Sequence, residues 1–312
     1  MQAYLLTGTS GPASLHLSDI PAPSIGPDEV LVRVRALSLN PVDVKTSHGT
    51  AVYNAIAANS PLILGWDISG EVTEVGANVS HFQPGDEVFG MVNFPGHGRA
   101  YADYVAAPAS HLARKPAAVS HEDAVAATLA ALTAWQVLAK ANVQPGQRVL
   151  VHAAAGGVGH YAVQLAKEMG AYVIGTASTA KGDFVRSLGA DEVVDYTQVR
   201  FEEEVPPVDV VLDPIGGENL LRSLTVVKPG GRLISIVGGI TPELTARAQA
   251  QGVAATALLV ASSGTDQTAL AERLADGRLR SHVAATFPFA QLTDALRQIE
   301  TGKTQGKIVV AL

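Results

Sequence analysis

The segment Val149–Gly159, VLVHAAAGGVG, constrains this chain more than any other. A β-branched apolar run enters a glycine cluster. A stretch with apolar Val163, Leu165, Ala166 and Met169 at helical spacing follows, and then a second apolar run, Tyr172–Gly175. A strand–turn–helix–strand unit of this kind leaves free N–H groups and the positive end of a dipole at the start of its helix, which suits a pyrophosphate. Gly156 and Gly157 let backbone approach a phosphate closely, and Gly159 lets the helix pack on the strand. A glycine triplet alone marks many turns; the flanking strand and helix give this one its meaning. The usual G-x-G-x-x-G opens here with an alanine, as Ala154-Ala155-Gly156-Gly157-Val158-Gly159. Alanine is tolerated at that place if the turn does not demand a positive φ. Ala154, Gly156, Gly157, Val158 and Gly159 are therefore candidate cofactor contacts.

A length of 312 residues suggests two domains, and 47% hydrophobic with 16% charged residues is ample for cores of that size. The first part reads as β-rich. Val30–Asn40 alternates apolar and polar between the turn signals Gly26-Pro27 and Asn40-Pro41, and further strands fit Ile68–Gly76, Glu87–Val92 and Tyr101–Pro108. Short strands at this spacing suggest a compact, barrel-like domain. The character changes near Ser120, whose hydroxyl and following acids resemble a helix start, with a helix expected over Ala124–Ala141. After the glycine run, strands at Tyr172–Gly175, Glu192–Tyr196, Val208–Asp213, Arg232–Gly238 and within ATALLVAS alternate with helices over Ala180–Leu188 and Glu218–Val226. That alternation predicts a parallel doubly wound sheet. The tail, with helices at Thr268–Ala275 and Ala290–Glu300 and a last strand GKIVVAL, is expected to return to the first domain.

Charge and cysteine usage exclude whole classes. A net charge of -7, from 22 basic and 29 acidic residues, offers no polybasic surface for nucleic acid or anionic lipid. There is no cysteine, so disulfides, thiolate nucleophiles and cysteine metal sites are all absent. The start, MQAYLLTGTSG, has no basic n-region or apolar h-region, and the uncharged stretch Ala124–Ala139 is interrupted by Thr128, Thr133 and Gln136, short of a membrane span. The expectation is a cytoplasmic protein.

Read together, NPVDVK (Asn40–Lys45), LGWDISGEV (Leu64–Val72), QPGDEVFG (Gln83–Gly90), RAYADYV (Arg99–Val105), TAW (Thr133–Trp135), AAAGGVG (Ala153–Gly159), LGAD (Leu188–Asp191), DPIGG (Asp213–Gly217) and QGKIVV (Gln305–Val310) span nearly the whole chain. In that order they resemble the zinc-independent quinone oxidoreductase (ζ-crystallin-like) branch of the medium-chain dehydrogenase/reductase superfamily. The resemblance implies an α/β fold: a GroES-like β-rich catalytic domain over 1–121 and 264–312, and a Rossmann cofactor-binding domain over 122–263. It also implies cofactor contacts from Thr133, Tyr196, Ile215, Val237 and Gly238. In the zinc-dependent alcohol dehydrogenases similar to this chain, a Cys, a His and a Cys hold catalytic zinc; the matching positions carry Asn40 and Trp66 here, and the third falls near Leu129. An amide, an indole and an aliphatic group cannot build that tetrahedral site, so no metal is expected. His48, His81, His97 and His111 read as surface or loop residues.

Two expectations concern the reaction. The residue that would bind a ribose 2′-OH falls on Ala177, which carries no carboxylate, and Ser178, Thr179 and Lys181 follow at once. A hydroxyl and an ammonium suit a 2′-phosphate, which favours NADPH. Without a metal, proton and charge handling falls to Asn40, Asp43 and Lys45: Asn40 near the nicotinamide or the substrate carbonyl, Asp43 positioning Lys45, and Lys45 stabilising an oxyanion. The alternative for the last two is a structural ion pair within the loop. Many relatives in this branch carry tyrosine where Lys45 stands. Tyr53 and Phe94 are candidates for stacking on a planar substrate or for plain packing. The reading is hydride transfer from NADPH to a quinone or an α,β-unsaturated carbonyl, in a cleft between the two domains. A trans-acting enoyl reductase of a polyketide or fatty-acid pathway, or a non-enzymatic NADPH-binding crystallin or RNA-binding protein, would share the fold. ATALLVAS is expected to be a bare edge strand, covered by its own copy in a homodimer.

Overall fold

Apolar alternation builds the first strands. The computed structural model describes residues 1–312. β1 (Gln2–Leu6) and β2 (Leu15–Asp19) form an antiparallel pair that the sequence reading had not anticipated. β3 (Glu29–Leu39) is buried on both faces near its end and runs directly into α1 (Pro41–Ser47), with Asn40 as N-cap and Pro41 in the first turn. A short α2 (Tyr53–Ile56) follows. β4 (Asp67–Val75), β5 (Glu87–Met91) and β7 (Leu112–Arg114) extend an antiparallel sheet from β3, and β6 (Tyr104–Pro108) pairs β3 separately. α3 (His121–Ala126) starts with the Ser120 hydroxyl accepting from Asp123 N–H at 3.0 Å.

The expected helix over Ala124–Ala141 is broken. α3 ends at Ala126 and α4 (Leu129–Ala141) begins anew, with the Thr128 hydroxyl turned back onto Val125 O at 2.6 Å. The chain divides into one unit of Met1–Leu132 with Ala261–Leu312 and another of Thr133–Val260. That division falls later than the expected boundary at 121/122, because α3 packs on β3 and β4.

The second unit is a six-stranded parallel sheet of β8 (Arg148–Val151), β9 (Tyr172–Ala177), β10 (Glu192–Asp195), β11 (Val208–Asp213), β12 (Val227–Ser235) and β13 (Ala254–Ala257). Its order is β10-β9-β8-β11-β12-β13, so direction of growth reverses between β8 and β11, where ligands of such sheets bind. Helices α5 (Gly159–Glu168), α6 (Gly182–Ser187), α7 (Phe201–Glu204), α8 (Glu218–Leu224) and α9 (Pro242–Ala250) connect them. Leu150, Ile174, Phe201, Val211, Leu224 and Leu233 sit in its core. β12 starts five residues before the expected Arg232. ATALLVAS is strand only to Ala257; Leu258 N–H still bonds Ser235 O at 2.9 Å, and the pairing then stops.

The tail returns to the first unit through α10 (Gly264–Ala275), β14 (Val283–Pro288), α11 (Leu292–Glu300) and β15 (Lys307–Ala311). β15 lies between β14 and β3, with Ile308 opposite Leu39. No helix is long and apolar enough to cross a membrane.

The alanine in the glycine run has a structural counterpart in β9. A Cβ on Gly175 would stand 2.9 Å from Ala154 Cβ and 2.7 Å from Val185 Cγ1. The missing methyl of Gly175 makes room for the extra one of Ala154. Gly175→Ala is expected to destabilise by about 1–3 kcal/mol through overpacking, and adding Ala154→Gly should recover part of it. Urea unfolding of the four proteins tests this; strictly additive effects would contradict the contact.

Candidate functional site

The loops after β8, β9, β10, β11 and β12 all leave the same, C-terminal edge of the parallel sheet. After β8, the turn's positive φ falls on Ala153 (47°), not on Ala154, which is why alanine fits where the fingerprint has glycine. A Cβ on Gly159 would lie 2.2 Å from Ala153 O and 2.7 Å from Ala154 Cα, so α5 can sit this close to the turn only without one. The N–H groups of Gly157 and Val158 donate to no protein acceptor. Free donors at the start of α5 fit the pyrophosphate of a dinucleotide. Ala154 is buried, whereas Gly156 and Val158 are half-buried.

The next loops are shaped by buried polar side chains. Asp213, fully buried, accepts from Ile215 N–H and Gly216 N–H, both at 2.7 Å, and from Asn219 Nδ2 at 2.7 Å. Ser235 Oγ donates to Gly238 O at 2.7 Å, which folds the turn after β12; Gly238 has φ 78°. These caps push Ile215 and Val237 outward, at 54% and 43% exposure, and Tyr196 after β10 is 57% exposed. Three exposed apolar side chains along one sheet edge are what a bound ligand would cover. Thr133 is buried at the start of this unit.

At the end of β9, Ala177 is buried and Ser178 and Lys181 are half-buried; desolvation lowers the Lys181 pKa. Asp183 pairs with Arg186 at 2.8 Å. The sequence reading missed Asp195, which is opposite Ala177 in the sheet register. Its carboxylate accepts from the hydroxyls of Thr179 and Thr197 and from Thr197 N–H, and these bonds hold its pKa down. It also missed His152, whose ring bridges Thr176 Oγ1 at 3.2 Å and Ser223 Oγ at 2.9 Å beneath the glycine turn. Burial depresses the His152 pKa to about 4.

In the first unit, the start of α1 holds a buried polar cluster. Asn40 is 2% exposed. Its Nδ2 donates to Asp67 Oδ2 at 2.8 Å, and its Oδ1 accepts from Lys307 Nζ at 2.5 Å. Lys307, 3% exposed, also donates to Leu39 O at 2.8 Å. Asp67 Oδ1 accepts from Leu129 N–H, at the start of α4, at 3.1 Å. Asp43 Oδ2 turns back to accept from Asn40 N–H at 2.6 Å, in the capping box at the start of α1. Its Oδ1 and the buried Tyr101 hydroxyl beside it form no hydrogen bond of good geometry. Burial, then the Asp67 charge, raises Asp43 to about 7; burial also raises Asp67 and lowers Lys307.

Lys45 stands apart from this cluster. It is exposed on α1 while Asp43 is fully buried, and the two make no ion pair. The expected Asp43–Lys45 contact is therefore corrected: helical geometry turns residues two apart to different faces. Phe94 packs edge-on against Trp66 at 5.3 Å, and the Trp66 indole donates to Gly96 O at 2.6 Å. Asn40, Trp66 and Leu129 thus offer no set of metal donors, and no three His, Cys, Asp or Glu side chains gather to hold an ion. His97 accepts from Ile63 N–H, His111 from Asn93 N–H, and His48 pairs with Glu300.

Residues 26–117 match the alcohol dehydrogenase GroES-like domain family, and residues 188–310 match the zinc-binding dehydrogenase family. The chain is 34% identical to a 2-methylene-furan-3-one reductase of Solanum lycopersicum, over 99% of this chain and 79% of that protein. It is also 34% identical to an NADPH-dependent alkenal/one oxidoreductase, chloroplastic, of Arabidopsis thaliana, with the same coverage. The quinone oxidoreductase structure from Coxiella burnetii superposes with a TM-score of 0.95 at 35% identity, covering 100% of this chain and 99% of that one.

The raised Asp43 pKa has a pH signature. The folded protein holds a proton that the unfolded chain releases near 3.8, so this group's stabilisation is complete below that pH and is lost as pH rises to about 7. Asp43→Asn keeps the acceptor for Asn40 N–H without the charge. The stability of Asp43→Asn relative to the parent is expected to grow from pH 4 to pH 7 and then level off, as read by chemical denaturation. A flat difference would show that Asp43 is ionised throughout that range.

Proposed function

Because the chain belongs to the zinc-independent quinone oxidoreductase branch of the medium-chain dehydrogenase/reductase superfamily, we propose that it is an NADPH-dependent reductase of quinones and α,β-unsaturated carbonyls. The observation that carries the reading is the cluster at Asn40. Where zinc-dependent relatives would place metal donors, this chain has an amide N–H fixed between buried charges. A hydrogen-bond donor serves an oxygen on which negative charge collects, as in a quinone or enone taking hydride at carbon. It does not acidify an alcohol, as a metal does.

The dinucleotide, when bound, supplies the hydride. The chain's own residues bind and orient. The turn Ala154–Gly159 and the free N–H groups of Gly157 and Val158 would receive the pyrophosphate, with Tyr196, Ile215 and Val237 covering the ligand's apolar faces and Thr133 and Gly238 adding contacts. Ser178 and Lys181 would take the 2′-phosphate. Asn40 Nδ2 would face the substrate oxygen, and the Lys45 ammonium, exposed on α1 apart from that cluster, would stabilise the developing charge and return a proton from the solvent side. The open edge of β13 favours a homodimer.

Lys181→Ala is expected to weaken NADPH and leave NADH nearly unchanged in fluorescence titrations; equal affinities of the parent for both cofactors would remove this part of the reading. Lys45→Ala should lower kcat for enones by roughly 10²–10³ with NADPH binding intact. Loss of NADPH absorbance with a quinone and enone panel tests the whole proposal. Robust oxidation of 2-propanol with NADP⁺, or no turnover of any panel member, would overturn it.

A further inference from the structure

Asn40 holds the N-cap position of α1, and its side-chain amide is set between two buried charges. We infer that Lys307 is a positioning residue that, with Asp67, sets which way round the Asn40 amide sits. This rests on the function proposed above, in which Asn40 faces the substrate oxygen.

The argument is electrostatic. In the observed orientation Oδ1 meets the Lys307 ammonium and Nδ2 meets the Asp67 carboxylate. Rotating the amide by half a turn would set N–H against ammonium and carbonyl oxygen against carboxylate. Both attractive contacts would become repulsive, in surroundings where burial strengthens them. Lys307 is itself held by Leu39 O, and Asp67 by Leu129 N–H, so neither charge can follow a rotated amide.

The consequence concerns the second Nδ2 hydrogen. Asp67 uses one, and no protein acceptor takes the other. The amide oxygen is turned to Lys307. What Asn40 holds out to a substrate is therefore its remaining N–H, a donor. That polarity suits an oxygen gaining charge during hydride acceptance, and it disfavours a hydroxyl that needs a partner for its proton. Lys307 thus acts on the polarity that Asn40 presents without touching substrate.

The test separates orientation from charge balance. Lys307→Met leaves Asp67 uncompensated and is expected to lower stability. Lys307→Met with Asp67→Asn removes both charges, should fold, and frees the amide to rotate. The double variant is expected to lose roughly 10–100-fold in kcat for the quinone, a range typical of outer supporting residues, with KM and the NADPH dissociation constant unchanged. Lys307→Arg should retain most of the turnover. A second readout is independent of activity. The Asn40 side-chain amide resonances, assigned by their loss in Asn40→Ala, should shift and exchange faster in the double variant and stay near the parent's in Lys307→Arg. If the double variant is unfolded, Asp67→Asn alone supplies this readout, with a smaller shift in the same direction. Unchanged amide resonances in the charge-free variant, or in Asp67→Asn where that stands in for it, would overturn the inference. Turnover equal to the parent's in the double variant would do the same. Absence of quinone or enone turnover in the parent would instead sink the proposed function and leave the resonances to decide the role of Lys307.

Discussion

Asp67 ties together three stretches of the first unit that lie far apart in sequence. One carboxylate oxygen receives Asn40, 27 residues away, and the other receives the backbone of Leu129, 62 residues away. Through Asn40 it is coupled to Lys307, which lies 267 residues from Asn40. A buried carboxylate is costly unless its lone pairs are met; here the Asn40 amide and the helix start meet them, and the Lys307 ammonium offsets the charge from a distance. The end of β3 and the starts of β4, β15, α1 and α4 all converge on this group. Removing the Lys307 ammonium would leave the Asp67 charge uncompensated in the interior, which typically costs several kcal/mol.

The two units meet their ligand-facing tasks by different means. In the second, backbone does the work: a turn without room for a Cβ, unpaired N–H groups and loops pinned by Asp213 and Ser235. The reading of a phosphate there depends little on side-chain identity. In the first unit, side-chain identity is everything. An isoleucine at 67 would keep the strand and lose the chemistry.

This difference explains what could be read from the chain beforehand. The glycine run, the alternating strands and helices and the returning tail were legible because each is a local pattern of period, turn residue and spacing. Ala154 was legible as a departure, though not its reason, since Ala153 carries the positive φ and Gly175 comes from another strand. Asn40 and Asp43 were found from a short motif, but their partners were not. Lys307 sits in GKIVV as an unremarkable strand-start lysine, and only the pairing of β15 with β3 brings it to Asn40. The Asp43–Lys45 contact was read from proximity in sequence, which a helix overrides by turning the two side chains apart. The break at Thr128 was hidden by an alanine-rich run whose composition favours helix throughout.

The interrupted first unit imposes an order on the newborn protein. Residues 133–260 hold every strand of the parallel sheet in one uninterrupted stretch, so none of its pairings waits on a later segment. The other unit waits, because β15 wedges between β14 and β3 and is made some fifty residues after β13. Until it arrives, Asn40 and Asp67 have no ammonium and the flank of β3 is an open strand edge, a hazard for mispairing. The same lysine that would orient the amide thus sits on the strand that closes the sheet of the first unit.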